Sequence, residues 1–137
     1  MKTEPIKFTL NTVCRTKKNS QKILVNKKTG RPFIMYSDAY KAFRQAALML
    51  IPSDARQNID CPVNIKAVFY MPTRRKVDIS NLNSAIHDIL VDARVISDDN
   101  RDVVAATDES RVYYDKNHPR VEITITPIDE EYEQWKE

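Results

Sequence analysis

Three aspartates flank one segment of the chain and could bind a cation if the fold brings them together. Asp78 precedes the segment, and Asp98 and Asp99 follow it. Carboxylate oxygens are the ligands that Mg²⁺ prefers in proteins. Each aspartate also has a purely structural interpretation, because Asp78 can cap a helix and Asp98-Asp99-Asn100 is typical of a turn. The residues alone leave both interpretations open.

The segment between these aspartates has the pattern of an amphipathic helix over residues 79–93. Its apolar residues recur at intervals of three and four positions, namely Ile79, Leu82, Ile86, Ile89, Leu90 and Ala93. At about 100° per residue, the opposite side carries the polar residues Asn81, Ser84, Asp88 and Asp92. This polar stripe is either the solvated face of the helix or part of a site that includes the flanking aspartates.

The rest of the chain predicts the elements that must position these residues. A first helix is predicted from Ser37 or Asp38 to about Leu50. Alternating apolar residues predict strands over 5–13, 62–71 and 120–127, and short apolar runs predict further strands over 23–25, 32–36, 103–107 and 111–114. The second and third strands flank the turn 26–30, which contains the only glycine, Gly30.

Strands and helices do not alternate regularly, so we expect an α+β fold. The expected architecture is one small domain over residues 1–137, with a mixed β-sheet and two main helices packed on it. The acidic residues 129–137 are expected to form a short terminal helix or a tail.

Charge is distributed unevenly along the chain. Residues 1–77 contain 16 basic and 4 acidic residues, whereas residues 78–137 contain 6 basic and 15 acidic ones. Such a division is compatible with an ordinary solvated surface. It is also what a polyanion-binding face beside a cation-binding acidic cluster would produce.

Composition argues against several classes of protein. A chain of 137 residues fits one domain, and no uncharged run approaches the roughly 20 residues of a membrane span. The first residues lack the apolar block of a secretory signal, so we expect a cytoplasmic protein. Cys14 and Cys61 lack the spacing of a zinc or thiol site and are expected to be reduced thiols.

The aromatic residues and histidines are expected to have structural roles. Stacking on exposed bases is conceivable for Phe33, Phe69, Tyr36, Tyr40 and Tyr70, but we expect these rings to pack in the core. His87 and His118 are expected to be solvent-exposed.

Residues 71–101 resemble the core of the RusA-type Holliday-junction resolvases, which are crossover junction endodeoxyribonucleases. The matching pattern is a strand followed by Met71-Pro72, the basic run Arg74-Arg75-Lys76, the motif Asp78-Ile79-Ser80-Asn81-Leu82, a helix, and Asp98-Asp99. Looser similarity extends to Lys17-Lys18-Asn19-Ser20, to Ser37-Asp38-Ala39-Tyr40 and to the closing strand 121–126.

The resemblance implies a function and a set of site residues. It implies a small α+β homodimer that cuts two symmetric strands of a four-way DNA junction with Mg²⁺, or with Mn²⁺, in DNA recombination and repair. It implies Asp78 and Asp99 as metal ligands, with Asp98 beside them, and no organic cofactor or membrane partner. Asp88 could act as a base or a weak extra ligand, and Asn81 could orient a carboxylate or a phosphate oxygen. The expected DNA-binding residues are Lys17, Lys18, Asn19, Arg74, Arg75, Lys76 and Asn81.

The sequence departs from the family pattern at two positions. Ser80 stands where the best-known members have a carboxylate, and Ser84 stands where they have a lysine. Loss of a negative charge should weaken metal binding unless Asp98 compensates for it. An alternative is therefore a protein that binds DNA junctions with weakened catalysis, and a third is a basic α+β module that binds RNA or ribosomes.

Overall fold

The structure is a computed structural model that describes residues 4–17 and 21–128. Within these residues, two α-helices and a mixed sheet confirm the α+β prediction. The strands are β1 (Ile6–Leu10), β2 (Gln21–Val25), β3 (Pro32–Tyr36), β4 (Val63–Met71), β5 (Val104–Ala106), β6 (Arg111–Tyr114) and β7 (Arg120–Pro127). The helices are α1 (Asp38–Leu50) and α2 (Ile79–Asp92), and a short 3₁₀ turn covers Ser53–Ala55. The predicted tail at 129–137 lies outside the described residues.

The main sheet has five strands, with β4 at its centre. β7 lies between β1 and β4 and pairs antiparallel with both, while β5 and β6 pair parallel with β4. Parallel neighbours need a crossover connection. The chain makes it through α2, which therefore begins beyond the carboxyl end of β4 and leads back toward the start of β5.

In the described part of the chain, the second sheet consists of β2 and β3, paired antiparallel. Asn26 and Gly30 shape the turn between them, where the Gly30 N–H donates to the Asn26 carbonyl at 2.7 Å. Gly30 has a φ of +70°, a conformation in which a Cβ is disfavoured. We call residues 21–36 the arm.

One hydrophobic core joins the main sheet to both helices. Alternate residues of β7, namely Val121, Ile123 and Ile125, are buried, as period-2 alternation requires. α1 adds Tyr40 and Phe43 to this core, and the predicted apolar positions of α2 from Leu82 to Leu90 are buried in it. No helix of the described ranges is both long and apolar enough to cross a bilayer.

Burial confirms some aromatic predictions and overturns one. Phe69 and Tyr40 are buried in the core, and Tyr36 packs against it. The prediction that Phe33 packs in the core was wrong, because β3 belongs to the arm and its Phe33 ring is 41% exposed. Tyr70 is half-buried and stacks near the Tyr113 ring, with centroids 5.5 Å apart.

Candidate active site

Asp78 occupies the N-cap position of α2, but its side chain does not cap the helix. The Asp78 carbonyl accepts the N–H groups of Asn81 and Leu82 at 3.1 and 3.2 Å. The carboxylate instead accepts a hydrogen bond from the Asn81 side-chain amide at 3.3 Å. Asp78 is exposed, so its carboxylate faces solvent. Asn81 holds this carboxylate, which is the orienting role expected of Asn81.

Asp98 and Asn100 build the turn that follows α2. One Asp98 carboxylate oxygen accepts the Asp99 N–H at 2.7 Å, and the other accepts the Asn100 side-chain amide at 3.2 Å. The Asn100 carbonyl in turn accepts the N–H of Val104 at 2.8 Å, which ties the turn to β5. Each carboxylate oxygen has more than one lone pair, so Asp98 can keep the turn and still bind a further partner.

Asp99 lies within electrostatic reach of His87 on α2. Burial lowers the pKa of the His87 imidazole, and the Asp99 and Asp88 carboxylates oppose that shift. The His87 Nε2 atom is buried and makes no hydrogen bond to the described residues. The prediction that His87 is solvent-exposed was wrong, because position 87 directly follows the buried Ile86 at the border of the apolar face. His118 is exposed as predicted, and its ring is 2.9 Å from the Asn11 side-chain oxygen.

The three predicted metal ligands do not form one cluster in the described chain. Across residues 4–17 and 21–128, no group of three His, Cys, Asp or Glu side chains could hold a metal ion. Asp78 is hydrogen-bonded to Asn81 in the first turn of α2, whereas Asp98 and Asp99 lie in the turn after the helix.

The polar stripe of α2 is partly covered by basic side chains from other elements. Asp88 forms a 2.9 Å ion pair with Lys17, and Asp92 forms a 3.0 Å ion pair with Arg44 of α1. The Lys17 Nζ atom also lies 5.4 and 5.9 Å from the ring centroids of Tyr36 and Tyr40. Burial alone would lower the pKa of Lys17, but the Asp88 hydrogen bond and the charges nearby raise it above its ordinary value. The stripe is thus a contact surface rather than a bare solvated face.

The basic run precedes Asp78 and lies between two clefts. One cleft runs between the loop after β1 and the segment 71–77, and Arg15, Arg75 and Lys76 contribute to its lining. The other lies between the same segment and the exposed edge strand β6. There the Arg74 guanidinium lies 4.2 Å from the centre of the Tyr114 ring. Arg74, Arg75 and Lys76 are all exposed, so this basic surface adjoins the Asp78 carboxylate.

Several contacts of this region could not be identified from local sequence. Neither the contribution of Arg15 nor the stacking of Arg74 on Tyr114 has a local signal, because the partners lie far apart in the chain. The same holds for the contact of the Arg120 guanidinium with the Tyr70 ring, whose centre lies 3.7 Å away. The ion-pair partners of Arg120, Asp115 and Glu122, are its near neighbours in the chain. Of the other predicted DNA-binding residues, Lys18 and Asn19 lie outside the described residues.

The comparison with protein families identifies the family of the chain. The family model described as Endodeoxyribonuclease RusA matches residues 14–126, which is most of the chain. The chain belongs to the RusA endodeoxyribonuclease family. Membership of the RusA family supports an endonuclease that resolves Holliday junctions, and RusA nucleases generally depend on a divalent metal. No individual curated protein is similar enough to the chain to count as a match.

Proposed function

We propose that this RusA-family protein is a cytoplasmic, Mg²⁺-dependent endonuclease that resolves four-way DNA junctions in recombination and repair. The observation that carries the proposal is the Asp78 carboxylate, which is exposed, is not used to cap α2, and directly follows an exposed basic run. A carboxylate beside cationic chain is suited to hold a metal ion next to a phosphate. Charge of both signs is therefore available at the place where a phosphodiester would lie.

The donors fit a hard divalent cation. Asp78 and Asp99 offer exposed carboxylates, and Mg²⁺ is commonly bound by one or two carboxylates with waters and substrate phosphates as its other ligands. We propose these two residues as ligands, with Asp98 beside Asp99 in the same turn and Asp88 as a supporting residue. When bound, the cation would activate a water molecule and neutralise the leaving oxygen. Asn81 holds the Asp78 carboxylate in place.

The basic run is the proposed phosphate contact. Arg74, Arg75 and Lys76 project from the segment between β4 and α2, and the Tyr114 ring restricts the position of the Arg74 guanidinium. Phosphate contacts release counterions, so the affinity for DNA should fall steeply with salt.

Replacing Arg74 and Arg75 together with alanine should reduce the slope of log K against log salt by about two units. Lys7→Ala on β1, at the opposite edge of the sheet, should leave the slope unchanged, and an unchanged slope in the double variant would remove both arginines from the interface.

Two symmetric cuts call for two sites related by a two-fold axis, so we propose a homodimer. Strand β6 is a candidate interface, because it lies at the edge of the main sheet and exposes Val112, Tyr113 and Tyr114. An exposed strand edge is available for pairing with a second chain.

A junction-binding protein with weakened catalysis is the second candidate. It is favoured by Ser80 in place of a carboxylate and by the lack, in the described chain, of a cluster of three metal-binding side chains. In this case the basic surface would bind branched DNA without appreciable turnover. Restoring the carboxylate with Ser80→Asp should then tighten Mg²⁺ binding and raise the cleavage rate.

A cleavage assay on a synthetic four-way junction and a linear duplex, with and without Mg²⁺, separates these functions. Cutting of the junction alone supports the nuclease, and binding without cutting supports the second candidate. If the protein neither cuts nor binds the junction, a different partner such as RNA is supported.

Asp78→Asn tests the proposed ligand. It should reduce cutting by roughly a hundredfold or more while junction binding persists, since even groups that only support metal ligands cost 10- to 100-fold when mutated. Asp54→Asn, in the distant 3₁₀ turn, is the matched control. Asp99→Asn should reduce cutting as much as Asp78→Asn, and the double variant should be no worse if both bind the same ion. Turnover at the wild-type rate in Asp78→Asn would refute the assignment.

A further inference from the structure

The arm carries several large apolar side chains that no element of the described chain covers. Ile23, Val25 and Ile34 are 76, 61 and 58% exposed. Ile23 lies opposite Ile34, and Val25 lies opposite Pro32, so these side chains share one face of the two-stranded sheet. The other face carries Leu24 opposite Phe33, which are also exposed. Contiguous exposed apolar surface of this kind marks an interaction site.

The turn at the end of the arm is ordered by its own hydrogen bonds. The Asn26 side-chain oxygen accepts the N–H groups of Lys28 and Thr29, and the Asn26 N–H donates to the Arg31 carbonyl at 2.9 Å. Gly30 supplies the positive φ that closes the turn. Because this conformation is already fixed, binding would cost little ordering of the backbone.

The charge of the arm indicates the kind of partner. Residues 21–36 contain four basic residues and no acidic one. Two copies of the arm would therefore repel each other, whereas a polyanion would be attracted. The partner must also offer flat apolar surface to the side chains beside these charges. Nucleic acid with exposed bases has both properties, and apolar side chains are known wedges between base steps.

The base of the arm is connected to the helix that Asp78 begins. The Tyr36 ring packs on the Tyr40 ring of α1, with centroids 5.2 Å apart. Lys17 lies over both rings and pairs with Asp88 of α2. A partner seated on the arm is therefore held at a defined position relative to α2.

We propose that the arm places its apolar face, centred on Ile23 and Ile34, against bases unstacked at the branch point of a DNA junction, with the basic turn on the flanking phosphates. This inference rests on the proposed function and adds to it a basis for selecting branched over linear DNA. Opening a continuous duplex costs stacking energy, while a branch point already interrupts the stack. The arm consequently favours the junction, and the basic run 74–76 binds either form.

The test is a binding experiment that needs no cleavage. A four-way DNA junction with 2-aminopurine at the branch point is titrated with protein in Mg²⁺-free buffer. A linear duplex with the sequence of one branch of the junction is titrated alongside it. Wild-type protein should raise the fluorescence at the branch point. Ile23→Thr combined with Ile34→Thr, which keeps β-propensity, should abolish this rise and lower the junction-to-duplex affinity ratio about tenfold or more. Met49→Thr, a change at a residue 79% exposed on α1, should behave like wild type.

Two outcomes would overturn the proposal. They are no fluorescence rise with wild type and an unchanged rise with the double variant. If the double variant with an unchanged rise also alters the sedimentation of the protein, the arm is a contact between copies. If circular dichroism shows that the double variant is misfolded, the single variant Ile34→Thr takes its place. Wild-type protein that cuts the junction with Mg²⁺ but never unstacks it would refute the arm and leave the nuclease intact.

Discussion

The main sheet and the arm both contain strands rich in apolar residues, but the environments of these residues are opposite. In β7, the alternating residues Val121, Ile123 and Ile125 are buried under the helices. In the arm, the equally apolar Ile23 and Ile34 face solvent. The difference shows that β-branched and aromatic residues favour a strand, while burial depends on whether another element covers its face. Apolar residues that no described element covers are candidates for function rather than for stability.

Two phenylalanines test this contrast most strongly. Phe69 in β4 is fully buried, so Phe69→Ala should lower the free energy of unfolding by about 3–5 kcal/mol. Phe33 in the arm is the matched residue, and Phe33→Ala should change it by less than about 1 kcal/mol. Urea unfolding monitored by circular dichroism measures both. Equal losses would mean that the arm is part of the core in solution.

Substitution of Gly30 probes the arm alone. An alanine would meet no atom within 4 Å, but the φ of +70° is unfavourable for it. A left-handed conformation costs a residue with a Cβ roughly 1–2 kcal/mol. Gly30→Ala should therefore speed amide hydrogen exchange in residues 21–36 by about tenfold and leave β4 and β7 protected. Gly30→Asn, which tolerates this conformation better, should have a smaller effect, and equal exchange in all three proteins would contradict the strained turn.

Low pH should lower the stability of the main sheet and helices but not that of the arm, and this effect should be smaller than those of the substitutions above. Burial lowers the pKa of His87 in the folded state, whereas the unfolded chain binds a proton near the ordinary value of 6.5. The unfolded state is therefore favoured as the pH falls below about 6.5 and through the lowered pKa. Residues 21–36 contain no His, Asp or Glu, so the arm should not contribute. Thermal melts of His87→Gln should lack this loss of stability, and identical pH profiles would contradict the lowered pKa of the partly buried imidazole.

Much of the fold follows from local pattern. The bounds of β6 and β7 agree with the predicted strands, and α2 ends one residue before its predicted end. Apolar spacing suffices for β7 and α2 because one face of each is buried. It could not reveal that Phe33 lies on an uncovered sheet, since covering is a property of the whole fold.

Of the candidate site, the sequence supplied residue types but not their contacts. The position of Asp78 at the start of α2 was predictable from its spacing, but the free orientation of its carboxylate was not. Lys17 and Asp88 are distant in the chain, so their ion pair has no local signal. The roles of Asp78, Asp98, Asp99 and Asp88 in binding a metal remain predictions that mutants must test.

The place of β7 between β1 and β4 has a consequence for synthesis of the chain. Among the strands of residues 4–17 and 21–128, β1 pairs in the main sheet with β7 alone. On the ribosome, β1 and one edge of β4 must wait until residues near 120–127 emerge. A nascent or truncated chain that stops before β7 would leave both edges open to other chains, so the emergence of β7 is what closes this part of the sheet.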